Sequence, residues 1–115
     1  MHELNICLSL IRLLEQNAHQ TSPPVQRIKT IWLEIGQLAG LDLDAIYFSF
    51  PIAVANTLAQ GAKLKIITEA GKAFCHQCKK NVTIDSLLAP CALCGQYDYR
   101  IIQGKALRIR TIEVI

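Results

Sequence analysis

The sequence predicts an α+β protein in two layers: a small three-stranded sheet covered by two helices, with a four-cysteine module inserted into it. Three observations carry that expectation. Apolar residues near the start recur at steps of three and four. Three later stretches alternate apolar with polar residues. Four of the five cysteines stand as two C-x-x-C pairs just ahead of the last alternating stretch. The size agrees, since 115 residues, 51% hydrophobic and 18% charged, make one folded domain or a domain with a small module.

Leu4, Cys7, Leu8, Ile11, Leu14 and Ala18 form the stripe of a first helix over about residues 4–19. Cys7 lies on it and reads as a small buried side chain. His19 sits near the helix end, where a cation meets the dipole. Thr21-Ser22-Pro23-Pro24 stops the helix. Residues 27–35 read as a strand, with Ile31, Leu33 and Ile35 on one face and Ile28, Thr30 and Trp32 on the other. Gly36 and Gly40 bracket a loop ending at Asp42, a good N-cap for a second helix over about residues 43–58. Pro51 lies inside that helix, where a kink or break is expected. Residues 63–69 form a second strand and 105–114 a third. The third changes phase, because Leu107 and Ile109 share one face while Ile112 and Val114 share the other; a one-residue bulge near Arg110-Thr111 would reunite them.

The cysteine module begins at Gly71 and runs to about Gln103-Gly104. Cys75 and Cys78, then Cys91 and Cys94, are separated by 12 residues. Each pair on a turn points two thiolates at one place, and two such turns make a sulfur tetrahedron suited to Zn²⁺. Pro90 and Gly95 flank the second pair as a tight ligand turn would favour. Two disulfides, or one redox-active C-x-x-C, are the competing uses of such cysteines. Four sulfur ligands leave no open coordination position, so a zinc ion here would hold structure, not hydrolyse a substrate. The expected division is therefore residues 1–71 with 105–115 as one part, and residues 72–104 as an inserted four-cysteine zinc ribbon.

Five cysteines cannot all pair. The first 15 residues carry Glu3, Asn5, Arg12 and Glu15 in place of a secretory pattern, and no run approaches a membrane span. A cytoplasmic location follows as an expectation. The formal charge is +3, but zinc with four thiolates would bring it to about +1, which removes most of the case for a polyanionic partner.

At the chain's start, the α-amine of Met1, the amide nitrogen of His2 and its imidazole can chelate one metal ion in fused rings. Nitrogen donors in a plane suit Ni²⁺ or Cu²⁺. The amine's pKa near ~7.7–8.0 makes protons competitors at neutral pH. Read alone, a histidine at position 2 is most simply a solvated terminus, and Glu3 a carboxylate favouring a helix N-terminus.

Met1-His2-Glu3-Leu4, Leu33-Glu34-Ile35-Gly36-Gln37-Leu38, Thr57-Leu58-Ala59-Gln60-Gly61-Ala62-Lys63-Leu64, the two C-x-x-C pairs and Leu107-Arg108-Ile109-Arg110-Thr111-Ile112-Glu113-Val114 fall in order along the chain. Together they resemble the HypA/HybF family of hydrogenase maturation factors, from Met1 to the C-terminus. The resemblance implies a non-enzymatic nickel metallochaperone with an α/β nickel-binding part and a zinc ribbon. It implies delivery of Ni²⁺ to the precursor of the large subunit of nickel–iron hydrogenase, with a nickel-handling GTPase as co-worker and urease as a further recipient in some members. It places nickel at the Met1 amine and His2, with Glu3 contributing its backbone nitrogen more than its carboxylate. Asp42 stands where some members carry an acidic residue near the metal. Cys75, Cys78, Cys91 and Cys94 match the zinc ligands. Pro51 departs from the family pattern and questions the continuity of helix two. His76, inside the first C-x-x-C, reads as a solvent-facing ribbon residue or a neighbour that tunes the site.

The competing functional class is a zinc-ribbon nucleic-acid binder. Lys79, Lys80, Tyr97, Tyr99 and Arg100 supply basic and aromatic groups around the ribbon. Only 6% of residues are aromatic, and the zinc-corrected charge is small. A scaffold joining partner proteins is the third class. No nucleic-acid or membrane partner is expected, and the chain is expected to be a monomer or a homodimer.

Overall fold

The computed structural model describes residues 2–115. The described residues form an α+β fold: α1 (His2–Ala18), β1 (Ile28–Gly36), α2 (Leu43–Val54), β2 (Lys63–Glu69), β3 (Lys72–Cys75), β4 (Lys80–Thr83), β5 (Tyr99–Gln103) and β6 (Leu107–Val114). One sheet has the order β2-β1-β6 and the other β4-β3-β5. The chain divides into two compact units, residues Met1–Leu33, Leu41–Lys65 and Ile109–Ile115 in one, and Glu34–Gly40 with Ile66–Arg108 in the other.

In the first unit the helices cover one sheet face. Cys7, Leu10, Ile11 and Leu14 of α1, Phe50 of α2, Ile31 and Leu33 of β1, Leu64 of β2 and Ile109 of β6 surround one apolar space. The buried stripe of α1 is Glu3, Cys7, Ile11, Leu14 and Ala18. It starts one residue before the expected Leu4, and Leu8, expected on it, is 40% exposed. Leu8 lies about 100° round the helix from Cys7, which carries it past the edge of the covered face. Cys7 is buried, with its thiol 3.9 Å from the Ile46 carbonyl. On the other sheet face Lys65 Nζ lies 5.6 Å from the centre of the Trp32 ring.

The second helix runs through Pro51 without the break that was one of the two expected outcomes there, and it ends at Val54 instead of near residue 58. Asp42 is its N-cap, as expected: its Oδ1 accepts the N–H groups of Asp44 at 3.0 Å and Ala45 at 3.3 Å. The early end has a local cause. Asn56 takes a left-handed φ of 63°, the Thr57 hydroxyl donates to the Val54 carbonyl at 2.7 Å, and Gln60 Oε1 accepts the Asn56 N–H at 2.8 Å. These side chains offer the backbone partners that a further helical turn would have supplied.

The phase change in β6 is real. Ile109 faces the space beside Leu14, and Ile112, three residues on, lines another hollow that also includes Leu14, with Ala18, Val25 and Ile28. Strict alternation would put residues three apart on opposite faces, so β6 shifts by one between them. Ile28 and Ile31 of β1 repeat the offset in the same two places. Val114, expected to join that face, is instead 47% exposed.

The second unit is the ribbon. β3 pairs antiparallel with β4, setting Cys75 opposite Lys80, and with β5, setting Cys75 opposite Tyr99. Leu38, Ala73, Cys75, Val82, Ile84 and Cys91 form its core, with Cys78, Cys94, Tyr99 and Ile101 packed against it. Leu38 comes from the loop after β1, where its N–H donates to the Gly104 carbonyl at 2.8 Å. Among the described residues no helix is long and apolar enough to cross a membrane.

Candidate metal centres

The two C-x-x-C pairs form near-identical turns. The Lys79 N–H donates to the Cys75 carbonyl and the Gly95 N–H to the Cys91 carbonyl, both at 2.7 Å. The residue after each second cysteine has positive φ, 56° at Lys79 and 74° at Gly95. Gly95 adopts this at no steric cost, whereas Lys79 does so against its Cβ, at about 1 kcal/mol. The Tyr99 hydroxyl donates to the Ala89 carbonyl at 2.6 Å and fixes the loop that leads into the second pair.

These turns bring the four Sγ atoms of Cys75, Cys78, Cys91 and Cys94 within 4.8 Å of one another. Cys75 and Cys94 are 3.6 Å apart and Cys78 and Cys91 3.9 Å, so the sulfurs are not bonded to each other. A zinc–sulfur bond of about 2.3 Å sets the edges of a sulfur tetrahedron at about 3.8 Å. The donors therefore fit zinc in type, number and spacing. Without a cation the thiols ionise unequally. Burial, then its sulfur neighbours, pushes Cys78 up to about 12, while the backbone N–H groups of Cys94 and Leu93 pull Cys91 down to about 7. A divalent cation would draw all four into the thiolate form and tie both turns to one point. His76 lies outside the sulfur set. Its Nδ1 is 2.9 Å from Asp98 Oδ1, its N–H donates to the Asp98 carbonyl at 3.0 Å, and its ring stands edge-on to Phe74.

Three of the residues assigned to nickel from sequence come together at the N-termini of α1 and α2. Met1 lies outside the described residues. His2 opens α1 with its side chain 66% exposed, Nε2 lying 3.4 Å from Glu3 Oε2. Glu3 is 5% exposed, and its Oε2 accepts the N–H of Asp42 at 3.2 Å. That N–H is the chief reason the Glu3 carboxyl titrates below the ordinary glutamate range. The Asp42 side chain is occupied in capping α2 but remains exposed. The amide groups of His2 and Glu3 fall in the first turn, where N–H groups have no intrahelical acceptor. The meeting of Glu3 with Asp42 is invisible in sequence, because 39 residues separate them; the one available signal was Glu3 four residues ahead of the buried Cys7.

A four-thiolate ribbon on an α+β frame defines a small zinc-ribbon metalloprotein. The chain belongs to the HypA family, described as "Hydrogenase/urease nickel incorporation, metallochaperone, hypA", whose pattern it matches over residues 1–114. It is 40% identical over 114 residues to the hydrogenase maturation factor HypA of Alkalilimnicola ehrlichii and 39% identical to that of Rhodopseudomonas palustris, covering 99% of both chains in each comparison. Its fold is similar to the solution structure of the nickel metallochaperone HypA from Helicobacter pylori, with a TM-score of 0.68 at 22% identity over 98% of this chain and 97% of that one. A second HypA solution structure matches with a TM-score of 0.70 at 25% identity, over 100% and 97%.

Proposed function

We propose that this chain binds Ni²⁺ at its N-terminus and delivers it to the precursor of the large subunit of nickel–iron hydrogenase. The ligands in this reading are the Met1 amine, the His2 imidazole and the first amide nitrogens, including that of Glu3, with Asp42 alongside. The observation that carries it is the position of His2 and Glu3 as the opening residues of α1, next to the cap of α2. An exposed imidazole and first-turn amides are reachable by an acceptor, which can replace ligands one at a time. The Glu3 carboxylate already holds the Asp42 N–H, which favours its backbone nitrogen as the donor. Zinc stays on Cys75, Cys78, Cys91 and Cys94 as a structural ion, and nickel is cargo, so the protein is a carrier and not an enzyme. Its working parts are residues 1–71 with 105–115 for nickel and 72–104 for zinc. A nickel-handling GTPase is the co-worker, in the cytoplasm, and urease, included in the family's description, is a second recipient.

The test titrates Ni²⁺ into zinc-loaded protein with its native terminus, into His2→Ala, and into a form with residues added before Met1. Tight binding should be lost in both altered forms, with zinc content and helical circular dichroism retained. Equal binding in all three overturns the terminal chelate.

A further inference from the structure

In the first unit the helices cover one face of the sheet β2-β1-β6, and the other face is charged. Leu64, Ile31, Leu33 and Ile109 line the apolar space on the helix side. Successive residues of a strand point to opposite faces, so Lys63 and Lys65 of β2, Trp32 of β1 and Arg110 of β6 point outward. Lys65 Nζ lies 5.6 Å from the centre of the Trp32 ring. Among the described residues, the carboxylate this unit adds to the face is Glu113, and it is engaged. Its Oε1 accepts the hydroxyl of Thr30 at 2.9 Å, and Thr30 is buried. Glu34, the next outward position of β1, accepts from Arg108 Nη2 at 2.8 Å. Lys63 and Lys65 are exposed, and among the described residues neither has a carboxylate within ion-pair distance. The chain's small net charge hides this local excess of cations.

An antiparallel sheet needs no cover on its second face, and a mixed polar face satisfies water. This face instead centres on Trp32, the chain's only tryptophan, which is half-buried beside cations. Trp and Arg are enriched in binding hot spots, and charges of one sign around such an anchor select a partner of the other sign. A nucleic-acid base would need the Trp32 ring for stacking, and Lys65 already stands over it. A carboxylate meets that ammonium as it stands, and an apolar side chain needs only the edge of the ring. We infer that the Lys63–Lys65–Trp32–Arg110 face is a docking surface for an acidic polypeptide segment of a partner protein, with Asp and Glu carboxylates on the cations and one apolar side chain against Trp32. The helices lie on the opposite face, so a partner held here leaves the opening of α1, with its exposed His2, uncovered. The inference does not depend on the nickel reading.

The probe is a fluorescein-labelled, end-capped peptide of Asp, Glu and Leu in alternation, titrated into the zinc-loaded full chain and followed by anisotropy. Its affinity should fall as salt rises. Lys63→Glu with Lys65→Glu should weaken it about tenfold or more and create binding for the corresponding peptide of Lys and Leu. Trp32→Phe, which keeps every cation, should weaken it about threefold or more. Lys80→Glu with Lys105→Glu makes the same charge change at exposed lysines of the other unit and should leave affinity within about twofold of wild type. Unchanged helical circular dichroism and zinc content check each fold. A wild type that shows no saturable binding overturns the inference. So does equal loss in the two double variants, which would make the attraction one of diffuse charge. Tighter binding of an oligothymidylate of equal charge, lost through the same residues, would give the face to nucleic acid. Self-association of wild type that Lys63→Glu with Lys65→Glu abolishes would give it to a second copy.

Discussion

Glu3 joins the two helix starts through its hydrogen bond to the Asp42 N–H, the largest of the interactions that favour its charged form. A carboxylate this covered is costly unless its oxygens are satisfied. The Asp42 N–H first, and then the backbone N–H of its own first helical turn, supply the compensation and hold its pKa below the ordinary value. The ionised form is therefore favoured in the folded state. Its contribution is complete above the ordinary glutamate pKa and disappears as the pH falls through the lowered folded value. Glu3→Gln should lower stability at neutral pH, and the gap from wild type should narrow as the pH falls below the ordinary glutamate range, measured by urea unfolding across an acid pH series. A gap that stays constant would mean that the charge is not the stabilising feature. Much at this scale was legible in sequence. Asp42 ahead of an apolar run reads as a cap and is one; Cys7 at a stripe position reads as buried and is buried. The pairing of Glu3 with Asp42 was not legible, because hydrogen bonds across 39 residues leave no local pattern. Nor was the left-handed Lys79, since only the glycine of the second turn announces that backbone conformation.

Elements were read correctly where a period defined them and wrongly where side chains compete with the backbone. β2 spans Lys63–Glu69 as its alternation predicts, whereas α2 stops short because Thr57 and Gln60 take over the partners of its next turn. Pro51 lies in the final turn, where it withholds one intrahelical donor, and the helix stays continuous through it. The loop after β1 looked like a connector, yet its Leu38 belongs to the ribbon core. That insertion depends on close backbone approach at the ribbon's base. A Cβ on Gly36 would stand 2.0 Å from the Gly104 carbonyl oxygen, and one on Gly104, at φ 101°, 2.7 Å from the Gly71 Cα. Backbone meets backbone there, so no side chain can turn away. Gly36→Ala should destabilise the protein by about 3 kcal/mol or more, against well under about 1 kcal/mol for an exposed substitution such as Gln16→Ala. Chemical denaturation of the zinc-loaded forms measures both, and a Gly36→Ala variant within error of wild type would refute the close packing.

At the scale of the whole chain, two kinds of stabilisation are at work. The first unit is held by an apolar core of α1, α2 and sheet residues such as Ile11, Ile31, Leu33 and Ile46, which needs no metal. The ribbon's core is only six buried residues, two of them the ligands Cys75 and Cys91. So small a core depends on zinc, and zinc binding to such a module is itself folding free energy. Removing zinc with a strong chelator should therefore melt the ribbon and spare the helices. The readouts fall in different units. Trp32, the only tryptophan, reports on the first; Phe74, His76 and Tyr99 report on the ribbon. Chelation should broaden or shift the ribbon's aromatic resonances, while Trp32 emission and helical circular dichroism change little. Returning Zn²⁺ under reducing conditions should restore the ribbon signals. The thiols must lose protons to bind the ion, so acid should release zinc in the same order, ribbon first. If helical signal and Trp32 emission collapse together with the metal, the chain folds as one cooperative body and the apolar core of the first unit does not stand without zinc.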